Sequence, residues 1–207
     1  MTRPGLAWHR KTQQGNEERK EEMKTARITI KGDSPLSQSQ AIRSERGTQE
    51  QHAAFEERTW RERINSSPEG EVVVPAMAFK NCLSAVAKYL GMKIPGKRNA
   101  TYTKHFEAGI IVDADMPLGV KAETVPGEWL FVPSDGKRGG GSRVWKCFPV
   151  LRQWSGVVNV HILDETITPE AFELHIRKAG QFIGVGRFRP QNNGFYGRFS
   201  VEKIEWV

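Results

Sequence analysis

The amino-acid sequence predicts an α+β domain with the ferredoxin-like βαββαβ order of strands and helices. Two stretches have the apolar spacing of amphipathic helices. Short stretches rich in Ile and Val flank them in the order strand, helix, strand, strand, helix, strand. Two further strand-like segments lie between the second and third core strands and predict an inserted β-hairpin. In this fold the two helices pack on one face of a four-stranded antiparallel sheet.

The two predicted helices repeat the same apolar stripe at positions i, i+4, i+7 and i+11. The stripe of the first, residues 76–90, consists of Phe79, Leu83, Val86 and Leu90. The second begins at the Thr168–Pro169 pair, and its stripe consists of Phe172, Ile176, Ala179 and Ile183. Proline is favoured in the first turn of a helix, and Gly91 follows the first helix as a C-cap.

The strands are predicted from runs of β-branched residues and from the turn residues that bound them. The core strands are predicted at residues 27–31, 106–113, 157–163 and 198–206. The hairpin arms are predicted at 128–133 and 144–150, joined by a glycine-rich basic tip, so the insertion covers about 128–150. A surface helix at 48–64 and a short strand at 72–74 complete the prediction.

The length and composition indicate one globular domain with a tail. The chain has 207 residues, of which 1–24 form a polar tail, predicted to be disordered, and 25–207 a single domain. No apolar run approaches the roughly 18 residues of a membrane helix, and the N-terminus lacks the apolar core of a secretory signal. Two isolated cysteines indicate neither a disulfide scaffold nor a zinc site, and we expect a cytoplasmic location.

Positive charge is concentrated in three stretches that contain no acidic residue. The net charge is +7, and the basic side chains without acidic neighbours fall at residues 76–106, 136–152 and 181–199. Such segregation favours a positive surface that binds a polyanion, and the alternative is a set of basic solvated loops.

Within the third stretch, the segment 184–199 combines glycine, arginine and aromatic side chains. Its arginines are Arg187, Arg189 and Arg198, and its aromatics are Phe188, Phe195, Tyr196 and Phe199. Arginine donates bidentate hydrogen bonds to phosphate, and aromatic rings stack on bases, so the mixture suits a single-stranded nucleic acid. The alternative is a helix-to-strand connection with aromatics in the core.

Two motifs resemble the repeat-associated mystery protein (RAMP) superfamily, the RNA-binding subunits of CRISPR effector complexes. A helix runs into Gly-x-Gly-Arg at Gly184–Arg187 and, after a turn, Gly-x-Tyr-Gly-Arg-Phe precedes the last strand. This order is similar to the family's C-terminal glycine-rich loop. The segment Val74–Leu83 is similar to the family's strand-Pro-x4-Lys-x2-Leu start of the first helix, although Ala-Phe-Lys-Asn replaces the usual Ser-Ser-Leu-Lys-Gly.

The resemblance implies an RRM-like core whose hairpin grips a strand, and subunits that line up side by side along the nucleic acid. Because the chain is short for the family, it indicates a minimal relative from a phage or mobile element. The implied partners are a single-stranded nucleic acid, RNA or DNA, further copies of the chain in an oligomer or filament, and a protein complex. No membrane partner is expected.

Enzymatic alternatives are weaker. The glycines match neither a Walker A loop nor a dinucleotide fingerprint, and the five histidines have no metal spacing. The resemblance leaves two ribonuclease hypotheses, one with Asp33 after the first strand and one with His105 as a general base. A third hypothesis is an inhibitory protein that docks onto a protein complex.

We therefore predict a non-catalytic nucleic-acid-binding protein without a cofactor, a metal site or catalytic residues. The predicted binding residues are Lys97, Arg98, Lys104, Lys137, Arg138, Arg143, Arg187, Arg189, Tyr196 and Arg198. Phosphate contacts of this kind position a strand without reading its sequence.

Overall fold

The structure, a computed structural model, describes residues 23–134 and 142–207 and combines helices with antiparallel sheets. The elements in chain order are β1 (Lys24–Gly32), β2 (Leu36–Ser37), α1 (His52–Thr59), β3 (Glu71–Val74), α2 (Ala76–Leu90), α3 (Thr103–Ala108), β4 (Ile110–Val112), β5 (Met116–Lys121), β6 (Gly127–Pro133), β7 (Arg143–Leu151), β8 (Ser155–Ile162), α4 (Pro169–Phe182) and β9 (Phe199–Trp206). Short 3-10 turns lie at Trp60–Arg63, Ala122–Thr124 and Pro190–Asn192. Most of the predicted tail lies outside the described residues, but β1 already begins at Lys24.

The largest sheet has four strands in the order β4–β8–β1–β9, and each neighbouring pair is antiparallel. Along β1 the fully buried Ala26, Ile28 and Ile30 alternate with the exposed Arg27 and Lys31. Successive strand side chains point to opposite faces, so this alternation gives the sheet one apolar face and one polar face. Helices α2 and α4 cover the apolar face, and their stripes complete the core.

Both long helices form where the sequence provides an apolar stripe and suitable ends. In α2 the buried Phe79, Leu83 and Val86 face the sheet, and Gly91 ends the helix in the left-handed conformation at φ 55°. In α4 the side chain of Thr168 accepts a 3.2 Å hydrogen bond from the Ala171 N–H. Each fully buried apolar side chain of the two stripes contributes about 1.5–3 kcal/mol to the free energy of folding, compared with the same side chain exposed to water.

The hairpin of β6 and β7 projects from a second sheet, in which β7 also pairs with β2. The strand β2 covers only Val150 and Leu151, so the next stretch of the β7 edge needs other partners. A buried Glu56–Arg63 ion pair supplies them at Cys147. The backbone N–H of Cys147 donates to Glu56 Oε1 at 2.8 Å, and the Cys147 carbonyl accepts from Arg63 Nε at 3.1 Å. The region of α1 therefore takes the place of a neighbouring strand.

The predicted strand at 106–113 is wrong in its first half. Phe106 lies in α3, because its ring is fully buried against Phe172 and His175 of α4, and the strand β4 is confined to Ile110–Val112. Gly109 separates the two elements where a side chain would overlap Asp164 and the His105 carbonyl. Tertiary packing therefore determines a helix where the run of Ile and Val predicts a longer strand.

The structure confirms most other elements predicted from the sequence. The helix α2 has its predicted bounds, each hairpin arm differs from its prediction by one or two residues, and the surface helix forms at α1. The strand β5, which pairs with β3, was not predicted, because Pro117 and Gly119 within it disfavour a strand. Among the described helices, none has the length and apolar character required to cross a lipid bilayer.

Candidate nucleic-acid interface

The glycine-rich loop, residues 183–198 between α4 and β9, is folded tightly against the segment that follows β1. The Arg187 N–H donates to the Ser37 carbonyl at 2.7 Å, and the Gly197 N–H donates to the Pro35 carbonyl at 2.8 Å. Gly197 has φ +74°, and a Cβ at this position would overlap the Val185 carbonyl oxygen. Only glycine permits both the conformation and the close approach, so the motif predicted from the sequence is a structural requirement of this loop.

An open cavity of about 340 Å³ lies between this loop, the first turns of α2 and the segment that follows β2. Two of its lining side chains, Arg187 and Arg189, are cations. The other polar lining residues are Gln38, Ser39, Gln40, Asn65 and Asn81, and none of the lining residues is acidic. A cavity lined by cations, amides and a hydroxyl, without carboxylates, suits an anionic ligand with hydrogen-bonding groups.

Arg187 joins this cavity to the base of the hairpin. Its guanidinium carbon lies 3.5 Å from the centroid of the Phe148 ring on β7. Burial lowers the pKa of Arg187 below its ordinary value, against the opposing effects of Tyr196 and Glu128, but a guanidinium stays charged at any physiological pH. Its buried Nη1 has no hydrogen-bond partner among the described residues.

Tyr196 is engaged by the hairpin rather than exposed for stacking. Its hydroxyl donates a 2.5 Å hydrogen bond to Glu128 Oε2 on β6. Burial, the hydrogen bond and the Glu128 charge together raise the pKa of Tyr196 to about 12. The exposed aromatic rings of the loop are instead Phe188 and Phe195, whereas Phe199 is buried in the core as predicted.

The remaining loop arginines lie on different sides of the loop. Arg189 lines the cavity, and its guanidinium donates to Gln191 Oε1 at 3.2 and 3.0 Å. Arg198 lies outside the cavity in a separate depression, where its Nε approaches the Gln181 carbonyl at 3.4 Å. Of the predicted binding residues, the structure therefore brings Arg187 and Arg189 to one cavity, and Tyr196 lies near Arg187 without lining that cavity.

The predicted basic loop, Lys97, Arg98 and Lys104, lies at the opposite end of α4. All three side chains are exposed, and Lys97 Nζ is 3.3 Å from Thr166 Oγ1, just before α4 begins. The 14 residues of α4 span about 21 Å, so this loop and the glycine-rich loop are separate surfaces.

The predicted hairpin-tip residues are only partly described. Lys137 and Arg138 lie outside the described residues. Arg143 is exposed at the start of β7, where its guanidinium lies 5.8 Å from the Phe131 ring. By the strand register, Trp129, Phe131, Arg143 and Trp145 share one hairpin face, and Glu128 and Phe148 lie on the other. Arg143 therefore faces away from the cavity.

The residues of the ribonuclease hypotheses have different surroundings. Asp33 is exposed, and its backbone N–H donates to the Arg198 carbonyl. His105 Nδ1 lies 2.5 Å from Asp164 Oδ2. Burial acts to raise the pKa of Asp164, but hydrogen bonds from His105 and Thr166 outweigh it, and the pKa is below its ordinary value. Within residues 23–134 and 142–207, no group of three His, Cys, Asp or Glu side chains could hold a metal ion.

The cavity contains polar residues that the sequence patterns did not single out. The buried Gln38 donates to the Val73 carbonyl at 2.7 Å and accepts from the Asn65 N–H at 2.8 Å, so it fixes one wall. Asn81 comes from the exposed side of α2. Gln38, Asn65 and Asn81 lie in three distant segments of the sequence. The only sequence signal that could have identified them as cavity residues is that each is a polar residue near apolar ones.

The fold is similar to that of solved structures. No family model matches the chain, and no curated protein matches it. Among solved structures 84 chains match. One belongs to the cryo-EM structure of the Type III-B Cmr-beta bound to cognate target RNA, with a TM-score of 0.54 and 11% sequence identity. The match covers 89% of this chain and 61% of that chain, so the present chain spans less than two thirds of that chain's length. At this identity the similarity shows the fold alone.

Proposed function

We propose that this protein is a non-catalytic binder of single-stranded nucleic acid, with RNA as the first substrate to test. The observation that carries the proposal is the carboxylate-free cavity between the glycine-rich loop, the first turns of α2 and the segment after β2. Arg187 and Arg189 line it, and Arg187 also packs on Phe148 at the base of the hairpin. A cleft with cationic walls and adjacent aromatic rings suits a single strand, in which phosphates and unstacked bases are both accessible.

The fold and the sequence motifs support a RAMP-like, ferredoxin-like assignment. The strand order β9–β1–β8–β4, with α2 and α4 on one face, is the order expected for a βαββαβ unit. The glycine-rich loop and the Pro75 start of α2, which carry the family resemblance, meet at the cavity. The solved structure with a similar fold is bound to RNA, which favours RNA over DNA here.

The chemistry of the site divides into phosphate contacts and base contacts. The guanidinium groups of Arg187 and Arg189, which line the cavity, would donate to phosphate oxygens. Phe188 and Phe195 are exposed at the loop surface and would stack on bases. The amides of Gln40 and Asn81 would bond to base edges or a 2′-hydroxyl. Stacking and phosphate contacts tolerate any sequence, so little sequence selectivity is expected.

The test is fluorescence anisotropy with labelled single-stranded RNA and DNA of the same sequence over a range of salt concentrations. The double variant Arg187→Gln/Arg189→Gln should weaken binding by at least about 100-fold, because each of the two lost charged contacts is worth roughly 1.5 kcal/mol. The slope of log affinity against log salt should fall by about 1.4, since each phosphate contact of a single strand contributes about 0.7.

The matched control is Arg27→Gln/Lys31→Gln, which removes the same charge from exposed positions on the polar face of the sheet. Its salt slope should stay close to that of the wild type. Equal losses in both double variants would indicate attraction by net charge and would contradict the assignment of the cavity. Thermal unfolding of all three proteins establishes that binding losses do not follow from unfolding.

We also propose that copies of the chain assemble side by side along the strand. The hairpin face with Trp129, Phe131 and Trp145 carries three large aromatics with 43–56% of their surface exposed. The Phe131 and Trp145 rings lie 5.4 Å apart and form one continuous patch. A patch of this kind marks an interaction surface. It faces away from the cavity, so a neighbouring copy and a bound strand would not compete for it.

A second candidate function is metal-independent RNA cleavage by His105. The observation that favours it is the 2.5 Å contact with Asp164, which orients the imidazole beside the basic loop. In this scheme Nε2 accepts the proton of a 2′-hydroxyl and the 2′-oxygen attacks the adjacent phosphorus. The 5′-oxygen then leaves and takes a proton from water, while the imidazolium returns its proton to solvent, so the products have a 2′,3′-cyclic phosphate and a 5′-hydroxyl. Cleavage in EDTA that His105→Ala abolishes would establish it, and Mg²⁺-dependent cleavage lost in Asp33→Ala would identify the other nuclease hypothesis.

A further inference from the structure

A pair of exposed aromatic rings lies on the helical side of the glycine-rich loop, outside the cavity. The Tyr89 and Phe182 ring centroids are 5.4 Å apart, with the planes tilted by 32°. Tyr89 is 63% exposed near the end of α2, and Phe182 is 42% exposed at the end of α4. Two large aromatic rings in contact with each other and with solvent contribute little to the core, so their exposure calls for another explanation.

The surroundings of this pair are cationic. A shallow depression of about 510 Å³ is lined by both rings together with Lys88 and Arg198, and none of its lining residues is acidic. Lys178 Nζ lies 5.6 Å from the Phe182 ring centroid. Part of this charge complements the carbonyl ends of the two helices, as the Arg198 contact with the Gln181 carbonyl illustrates. Lys88 is exposed beside Tyr89 and remains available to a ligand.

The depression is adjacent to the proposed nucleic-acid cavity. The two are separated by the 3-10 turn Pro190–Asn192, for Arg189 lines the cavity and the next two residues, Pro190 and Gln191, line the depression. A strand that leaves the cavity past Arg189 therefore meets the Tyr89–Phe182 pair directly after crossing this turn.

We propose that Tyr89 and Phe182 form a second base-stacking platform, on which bases of the same single strand stack after crossing the glycine-rich loop. The complementary charge identifies the occupant as a polyanion, and the exposed rings identify it as one with aromatic groups. This inference rests on the proposed function and extends its footprint from the cavity to the helical face. It also gives Arg198, which the cavity excludes, a role beside the strand.

The test compares affinities for single-stranded RNAs of increasing length, from about 4 to about 16 nucleotides, the range of typical single-strand sites. The shortest RNAs that the wild type binds should bind Tyr89→Ala/Phe182→Ala with the same affinity. Longer RNAs should bind this variant about 10- to 100-fold more weakly than the wild type. Because stacking is not ionic, its salt slope should match the wild type. The variant Tyr89→Phe/Phe182→Tyr preserves both rings and should bind like the wild type.

The matched control is Met77→Ala/Leu174→Ala, which removes exposed apolar side chains from the same two helices outside the depression and should bind every length normally. A fluorescent base analogue placed along the RNA should be quenched at one end of the footprint only when the two rings are present.

The outcomes separate this inference from the proposed function. If the wild type binds RNA and Tyr89→Ala/Phe182→Ala binds every RNA length with wild-type affinity, the platform is refuted and the cavity proposal stands. If the wild type binds no single strand, both are refuted. Loss of self-association in this variant, measured by light scattering and without loss of RNA affinity, would identify a protein contact and would also refute the platform.

Discussion

Glu128 and Tyr196, 68 positions apart in sequence, are joined by a 2.5 Å hydrogen bond between the first strand of the hairpin and the glycine-rich loop. The carboxylate of Glu128 also acts on the Arg187 guanidinium at the same site. Glu128 therefore has two effects: it connects the two elements and it offsets positive charge beside the proposed strand.

The first prediction separates these two effects. The variant Glu128→Gln keeps an acceptor for the Tyr196 hydroxyl but removes the negative charge, so its affinity for single-stranded RNA should increase several-fold at low salt. The variant Tyr196→Phe removes the bond and keeps the charge, so it should lower the free energy of unfolding by about 1 kcal/mol. Anisotropy and urea unfolding measure the two quantities. A weaker affinity in Glu128→Gln would contradict the position of the strand near this carboxylate.

The second prediction concerns Gly197 in the glycine-rich loop. Gly197→Ala must adopt φ near +74° and also push aside the Val185 carbonyl, so we expect strong destabilisation and loss of RNA binding. Gly70→Ala is the matched control, because Gly70 has φ +76° but no atom within 4 Å of the added Cβ. It should cost only the conformational penalty of about 1–2 kcal/mol and bind normally. Equal melting temperatures for the two variants would show that the loop yields to the added side chain.

The third prediction concerns the buried Glu56–Arg63 pair. Arg63→Met leaves the Glu56 charge and the Cys147 carbonyl without their partner, and should lower the free energy of unfolding by about 3–5 kcal/mol. Arg58→Met breaks the exposed Arg58–Glu50 pair of similar length and should have only a small effect. Chemical unfolding of both variants measures the difference. A small loss in Arg63→Met would mean that water replaces the pair.

The fourth prediction is a pH dependence of stability due to His175. This imidazole is fully buried between the Tyr102 and Phe106 rings, and burial lowers its pKa below 6.5. Below about pH 6.5 the unfolded chain takes up a proton that the folded protein does not, so stability decreases as the pH falls. The effect is at most about 1.4 kcal/mol per pH unit for one proton.

The check is urea unfolding at pH values on both sides of about 6.5. His175→Phe should flatten the acid decline of the unfolding free energy, whereas His52→Gln, at an exposed position, should leave it as in the wild type. If the unfolding free energy of His175→Phe falls with decreasing pH as steeply as that of the wild type, the pH dependence must come from other groups.

The fifth prediction concerns assembly through the hairpin. Trp129→Ser/Trp145→Ser removes the centre of the aromatic face and should reduce the mass of RNA-bound species measured by light scattering, with little effect on the affinity of a single subunit. The control Ile111→Ala/Val157→Ala removes exposed apolar surface from the sheet and should leave that mass unchanged. Monomeric wild-type complexes on long RNA would refute side-by-side assembly.

The sequence predicts those secondary-structure elements well whose pattern lies within a short stretch of residues. The helix α2 and the hairpin arms are predicted closely, because periodicity and turn residues are local properties. The helix α3 is missed, because its six residues are helical only through the burial of Phe106 against α4.

The site is predicted in part for the same reason. The arginines and glycines of residues 184–199 are visible as a motif, and Arg187 and Arg189 do line one cavity. That Arg187 is half-buried on Phe148, and that Tyr196 is bound to Glu128, follows from contacts across the fold that no local pattern contains. The sequence also does not reveal that Lys97, Arg98 and Lys104 lie a helix length away.

Within its described residues, the hairpin is anchored near its base, and this has a mechanical consequence. The Glu56–Arg63 pair holds the backbone at Cys147, and Glu128 and Phe148 next to this point are the residues that contact Tyr196 and Arg187. A force on the outer part of the hairpin would therefore be transmitted as torque to the glycine-rich loop. We expect a strand that draws the hairpin inward to stiffen both elements together, with amide exchange slowing in both at once.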